Sequence, residues 1–196
     1  MSDLTGYSVK AKSGGKNSWK LEIDEDADIE WCGTSGYARL LFRQMIQNKS
    51  TNTIIDLIGE RDTASQRDVV IGEFAGHRPP FVAPNTINIH YHRIDLSDVE
   101  AIYREDRALG LGAFAHENAE AYVYAKGFDG YSPGAHRGAV DAENRVLSDL
   151  AGCQCRRGKE KETTRGKKVD YGDRELEWTK SHNGRRVWDT FKVRMK

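Results

Sequence analysis

The stretch Ala113-Phe114-Ala115-His116-Glu117-Asn118-Ala119-Glu120-Ala121-Tyr122-Val123-Tyr124-Ala125 decides how this chain is read. It has the composition of a helix, with Gly127 placed to cap its end. Positions 116 and 120 of a helix lie one above the other, so His116 and Glu120 can grip one ion together. Glu117 projects beside that pair, where its carboxylate can take a proton from a water the ion polarises. This is the geometry of a His-Glu-x-x-His zinc site with Glu in place of the second His. A carboxylate oxygen is an ordinary zinc ligand, so the exchange is compatible with binding.

A catalytic zinc needs three protein ligands and an open fourth position. His136 comes 16 residues after Glu120, beyond the glycine-rich loop Asp129-Gly130-Tyr131-Ser132-Pro133-Gly134 and at the mouth of a second helix, about Ala135 to Leu150. Helices joined by a short loop pack antiparallel, which brings His136 back to the first. The expected set is His116, Glu120 and His136 around one Zn2+ ion, with Glu117 as general base. Asp141 and Glu143 are alternative third ligands, although a solvated helix face explains them equally well. His90 and His92, two apart on a strand, share a face and also suit a metal, but such a pair is more often polar surface. His77 and His182 fall in loops.

Upstream of this helix, Tyr7–Lys12 and Trp19–Ile23 alternate apolar and polar residues and read as a hairpin around Ser13–Asn17. Asp24 to Asp28 is an acidic cluster without the glycine and distal Glu of an EF-hand, hence a solvated loop. Ile29–Cys32 reads as a short strand. Tyr37, Leu40, Leu41, Met45 and Ile46 fall on one face of a helix over Gly36–Asn48. Ile54–Ile58 is a short element, Gln66–Phe74 a strand, and Arg78-Pro79-Pro80 a loop. Asn85–His92 alternates and reads as a strand; Asp98–Asp106 is a short helix or an acidic loop. Leu109-Gly110-Leu111-Gly112 punctuates the approach to the central helix.

Beyond Leu150 the reading is a mobile loop over 153–168, then strands at Val169–Tyr171, Glu175–Lys180 and Arg185–Val193, with an Asn183-Gly184 hairpin turn. From Ala151 to Lys196 there are 14 Lys+Arg against 7 Asp+Glu, a surplus of +7 that the first 150 residues balance with −7. A basic region of this kind can bind acidic partners or nucleic acid, or be a solvated strand pair.

The composition, 38% hydrophobic and 31% charged over 196 residues, fits one domain with a sizeable core. No apolar run approaches the roughly 18 residues a membrane span needs. The N-terminus lacks the basic and apolar regions of a signal peptide. The chain is therefore expected in the cytoplasm when made, or exported without a cleavable signal. Cys32, Cys153 and Cys155 form no disulfide framework and no zinc knuckle; a Cys153–Cys155 bridge would be strained and a distant bridge stays open, but the expectation is reduced, non-catalytic thiols in a reducing compartment. The nucleobase-deaminase pattern of His-x-Glu with Cys-x-x-Cys is absent.

Ala115-His116-Glu117-Asn118-Ala119-Glu120-Ala121, followed by Arg137-Gly138-Ala139-Val140-Asp141-Ala142-Glu143-Asn144-Arg145, resembles the zincin-type metallopeptidase domains of bacterial effector and polymorphic toxins. The likeness covers roughly residues 29–150, and its specific part is 115–145. Position 120 is Glu where that family has His, and His136 stands near where the family's metal-binding Glu would fall. The exchange keeps two imidazoles and one carboxylate. The resemblance implies an α+β fold with a small mixed or antiparallel sheet packed on the metal-site helix. It makes 33–150 a zincin-like core within a single domain, flanked by N-terminal strands (1–32) and a basic C-terminal hairpin region (151–196). It further implies a metal-dependent hydrolase cleaving a protein of another cell, with the Ile87–Tyr91 strand pairing with substrate at a sheet edge. A cognate inhibitor or immunity protein would accompany such a toxin. A binding module with a dead site, and a nucleic-acid enzyme using the basic region, are the alternatives.

Overall fold

The computed structural model describes residues 2–15, 18–24, 33–48, 52–58, 71–78, 89–126, 133–152, 155–164, 166–182 and 187–196. One helical turn, α1 (Ser2–Thr5), precedes an antiparallel hairpin of β1 (Val9–Gly15) and β2 (Ser18–Ile23), with Val9 opposite Ile23. α2 (Gly36–Gln47) begins where Ser35 caps it, its Oγ accepting from the Ala38 N–H at 3.1 Å. The same hydroxyl donates to Asp149 Oδ2 at 2.7 Å, and the Tyr37 N–H donates to that oxygen at 3.1 Å. A carboxylate from a distant helix thus meets the positive end of α2, where a negative charge is favoured.

β3 (Asn52–Ile58), β4 (Gly72–Arg78) and β5 (Ile89–Asp95) make a mixed sheet of order β3-β5-β4. β5 runs parallel to β3 and antiparallel to β4. Its place in the centre overturns the expectation of an edge strand for substrate: both its hydrogen-bonding sides are taken. α3 (Leu96–Glu105) follows directly, started by the Asp95 side chain accepting from Ser97 N–H. The segment read as helix or acidic loop is therefore a helix.

α4 (Arg107–Ala125) starts six residues earlier than its expected Ala113. Asp106 caps it, accepting from the Leu109 N–H at 3.0 Å. The glycines that read as punctuation lie inside the helix because they admit close neighbours. A Cβ on Gly110 would stand 2.5 Å from Tyr103 Cα, and one on Gly112 would stand 3.3 Å from Leu147. α5 (Pro133–Ala151) packs on α4. The chain ends in a four-stranded antiparallel meander, β6 (Glu160–Glu162), β7 (Gly166–Asp170), β8 (Arg174–His182) and β9 (Val187–Met195). The C-terminal region is thus a sheet rather than a lone hairpin, and β6 lies within the stretch expected to be mobile.

The mixed α+β class is the expected one. Three apolar clusters all include α4. Leu4, Ala38, Phe42, Leu111, Ala115 and Val146 join it to α1, α2 and α5. Leu41, Ala119, Tyr122, Ala139 and Ala142 continue that interface. Ile102, Leu109, Ala113 and Leu147 meet Val169, Tyr171, Leu176, Trp178 and Phe191 of the C-terminal region. α4 is therefore covered on nearly every side, which explains its weak amphipathicity. No described helix is long and apolar enough to cross a membrane.

Cys155 is disulfide-bonded, against the expectation of reduced thiols, and its partner lies outside the described residues. Spacing along the chain does not reveal a bridge that folding creates. The expected strand at 29–32, most of the acidic cluster, the Gly127 cap, residues 129–132 of the glycine-rich loop and the Asn183-Gly184 turn also lie outside the described residues.

Candidate metal centre

α4 and α5 pack antiparallel, as their pairings show: Leu147 meets Gly112, Glu143 meets His116, and His136 meets Glu120. This arrangement delivers the three side chains that the spacing nominated. Glu120 Oε2 lies 3.5 Å from His116 Nε2 and 3.8 Å from His136 Nδ1. The imidazole rings meet edge to face with centroids 5.1 Å apart. One ligand atom from each of the three lies within 4.8 Å of the others. Tetrahedral ligation at about 2.0–2.1 Å would need ligand atoms about 3.4 Å apart, so small side-chain shifts close the difference. His116 and Glu120 are buried, whereas the His136 side chain is 40% exposed and opens the cluster to solvent.

Behind His116 stands Glu143, with no exposed surface. Its Oε2 lies 2.9 Å from His116 Nδ1 and accepts from Arg157 Nη1 at 2.8 Å; its Oε1 accepts from the Tyr171 hydroxyl at 2.7 Å. Burial alone would raise this carboxyl's pKa, but the Arg157 charge and then the His116 and Tyr171 contacts outweigh it and hold it at about 2. Burial alone would likewise lower His116, yet its hydrogen bonds with Glu120 and Glu143 raise it to about 10. Burial pushes Glu120 up, and the hydrogen bond with His116 brings it below the usual carboxylate value. Glu143 was one alternative third ligand; it is instead committed to backing His116. Asp141, the other, is exposed and lies outside the cluster.

Glu117 faces the mixed sheet. Its Oε2 lies 3.0 Å from Nε2 of His92 on β5, a contact buried on both sides. A Cβ on Gly72 would overlap the Glu117 carboxylate, so β4 has a glycine where the side chain needs room. Gly72 follows Ile71, a β-branched residue at φ 63, a strained conformation. Asp98 Oδ2 accepts from the Ile71 N–H at 3.0 Å and Ile71 O accepts from the Asp95 N–H at 2.9 Å, which hold it there. His92 is therefore neither polar surface nor one of the clustered ligands, but a partner of Glu117. Its Nδ1 is buried with no hydrogen-bond partner among the described residues.

The sequence carries signals for His116, Glu117, Glu120 and His136, and weaker ones for His92 and Glu143. Arg157 sits in a charged run and Tyr171 at the end of a short expected strand, and no spacing sets either apart. Set beside protein-family models, curated proteins and solved structures, the chain matches none of them.

Proposed function

We propose that this chain is a metal-dependent hydrolase that holds one zinc ion through His116, Glu120 and His136 and cleaves a protein substrate. The observation that carries the reading is the convergence of two imidazoles and one carboxylate within 4.8 Å, with one imidazole half-exposed. Nitrogen and oxygen donors in that combination suit zinc, and three of them leave a position for water or substrate. Zinc bound there would supply Lewis-acid polarisation of a water or of the scissile carbonyl.

The chain's own groups divide the remaining tasks. Glu117 holds Oε2 against His92 and has Oε1 to take a proton from the attacking water and return it to the leaving amine. His92 keeps the carboxylate from turning away. His136, at the open side, is where substrate would approach. The choice of a peptide bond, of a toxin-like role and of a cognate inhibitor rests on the resemblance at 115–145.

Several basic residues of the C-terminal sheet are held in local ion pairs. Lys167 pairs with Glu160 and Glu162, Lys168 with Glu175 and Glu177, and Arg174 with Asp106 and Asp173. Arg194 and Lys196 pair with Glu177 and Asp170. These five basic residues are thus matched largely by the region's own acids, and the surplus of +7 rests on its other lysines and arginines. The test of the proposal is cleavage of unfolded protein substrates by purified protein, with and without a chelator. Zinc-dependent cleavage supports it; zinc uptake without any hydrolysis leaves the binding-module reading in its place.

A further inference from the structure

Arg157 precedes β6 and Tyr171 follows β7, both beyond the 115–145 motif, yet both end on Glu143. We propose that Arg157 and Tyr171 are positioning residues for the metal centre. By clamping the Glu143 carboxylate against His116 Nδ1, they keep His116 Nε2 turned toward Glu120 and His136. The inference rests on the zinc reading above and deepens it.

A hydrogen bond from one imidazole nitrogen fixes which nitrogen faces a metal and how the ring is turned, and a carboxylate partner also raises its basicity. Glu143 provides that partner, but a carboxylate with no exposed surface is costly unless its charge and its oxygens are matched. Arg157 supplies the opposite charge and Tyr171 satisfies the second oxygen. Arg157 is itself fixed from several directions. Its N–H donates to Asn144 Oδ1 at 2.7 Å, and its Nη2 donates to Glu160 Oε1 at 2.7 Å. Lys167 holds Glu160 at 3.2 Å, and the adjacent Gly158 N–H donates to Asp170 O at 2.6 Å. The strap from 155 to 160 is thereby tied to α5 on one side and to β7 on the other. Both clamp residues are well buried, with the Arg157 side chain 12% exposed and Tyr171 2% exposed. A plain structural ion pair would affect stability; a positioning clamp also affects how tightly the folded protein holds zinc.

The experiment measures zinc dissociation constants by chelator competition for wild type, Tyr171→Phe, Arg157→Met and Arg157→Lys, each first shown folded by circular dichroism. Removing a partner that orients a ligand typically weakens metal binding about 10–100-fold. Tyr171→Phe and Arg157→Met are expected in that range, with Arg157→Lys recovering part of the loss. Nitrogen-15 spectra of the zinc-bound proteins should show His116 protonated at Nδ1 in wild type, and a mixed population in the weakened variants. If Arg157→Met does not fold, Tyr171→Phe, which removes one hydroxyl, decides. Folded variants that hold zinc as tightly as wild type overturn the clamp while leaving the zinc site standing. A wild type that takes up no zinc overturns the functional reading and the clamp with it.

Discussion

Glu117 and Glu120 stand three residues apart on α4, and their neighbours give them different roles. Glu120 lies between two imidazoles, whereas Glu117 turns to the sheet and to His92. Glu117→Gln keeps size and hydrogen-bonding shape but removes the basic oxygen. We expect it to retain zinc and fold while losing about 10²–10⁴-fold in hydrolysis, the usual worth of a general base. Full activity in a kinetic comparison with wild type would remove Glu117 from that role. Glu143 makes a prediction about acid stability in the metal-free protein. Its folded pKa, about 2, lies below the ordinary value of 4.5. A depressed carboxylate contributes stability that is present above the unfolded value and is lost as pH falls through the folded one. Urea midpoints of wild type should therefore fall between about pH 4.5 and pH 2 more steeply than those of Glu143→Gln. At this scale the pairing of His116 with Glu120 was legible because helix periodicity fixes which side chains share a face. Glu143 was visible only as a carboxylate on a helix, since its role depends on partners that approach in space.

Among the elements, α4 shows where reading by residue type goes astray. Gly110 and Gly112 looked like breakers, but a helix tolerates glycine where a neighbour needs the space. In an open helix, Gly→Ala is favourable by about 1 kcal/mol. At Gly110 the new methyl would meet the Tyr103 backbone, which has no flexible end to move aside. Gly110→Ala is therefore expected to lower the melting temperature despite its better helix propensity; a raised melting temperature would contradict the close packing of α3 on α4. α2, by contrast, was readable to within a residue, because its amphipathic face lies in its own sequence, whereas its Ser35 cap emerged with the structure. What the sequence could not disclose is that Asp149, on another helix, completes that cap. The central position of β5 was also hidden, since alternation marks a strand but not its neighbours.

Across the whole molecule, the least legible feature was how the C-terminal region relates to the rest. By composition it is a basic appendage. In three dimensions Val169, Tyr171, Leu176, Trp178 and Phe191 cover Ile102, Leu109 and Leu147, and Arg157 and Tyr171 reach the site. A chain ending at Gly152 should therefore lose cooperative thermal unfolding rather than persist as a smaller domain. On the opposite side of α4, Phe42 is 1% exposed and stacks with Phe114 at 6.0 Å. Phe42→Ala should cost about 3–5 kcal/mol in denaturant unfolding, as large-to-small changes in a packed core do. The central claim, that α4 and α5 together make a zinc centre, is tested most directly by elemental analysis of the purified wild type, His116→Ala and His136→Ala. The account predicts one zinc per wild-type chain and none in either folded variant. A wild type without stoichiometric metal, or a variant that keeps it in full, would contradict the assignment.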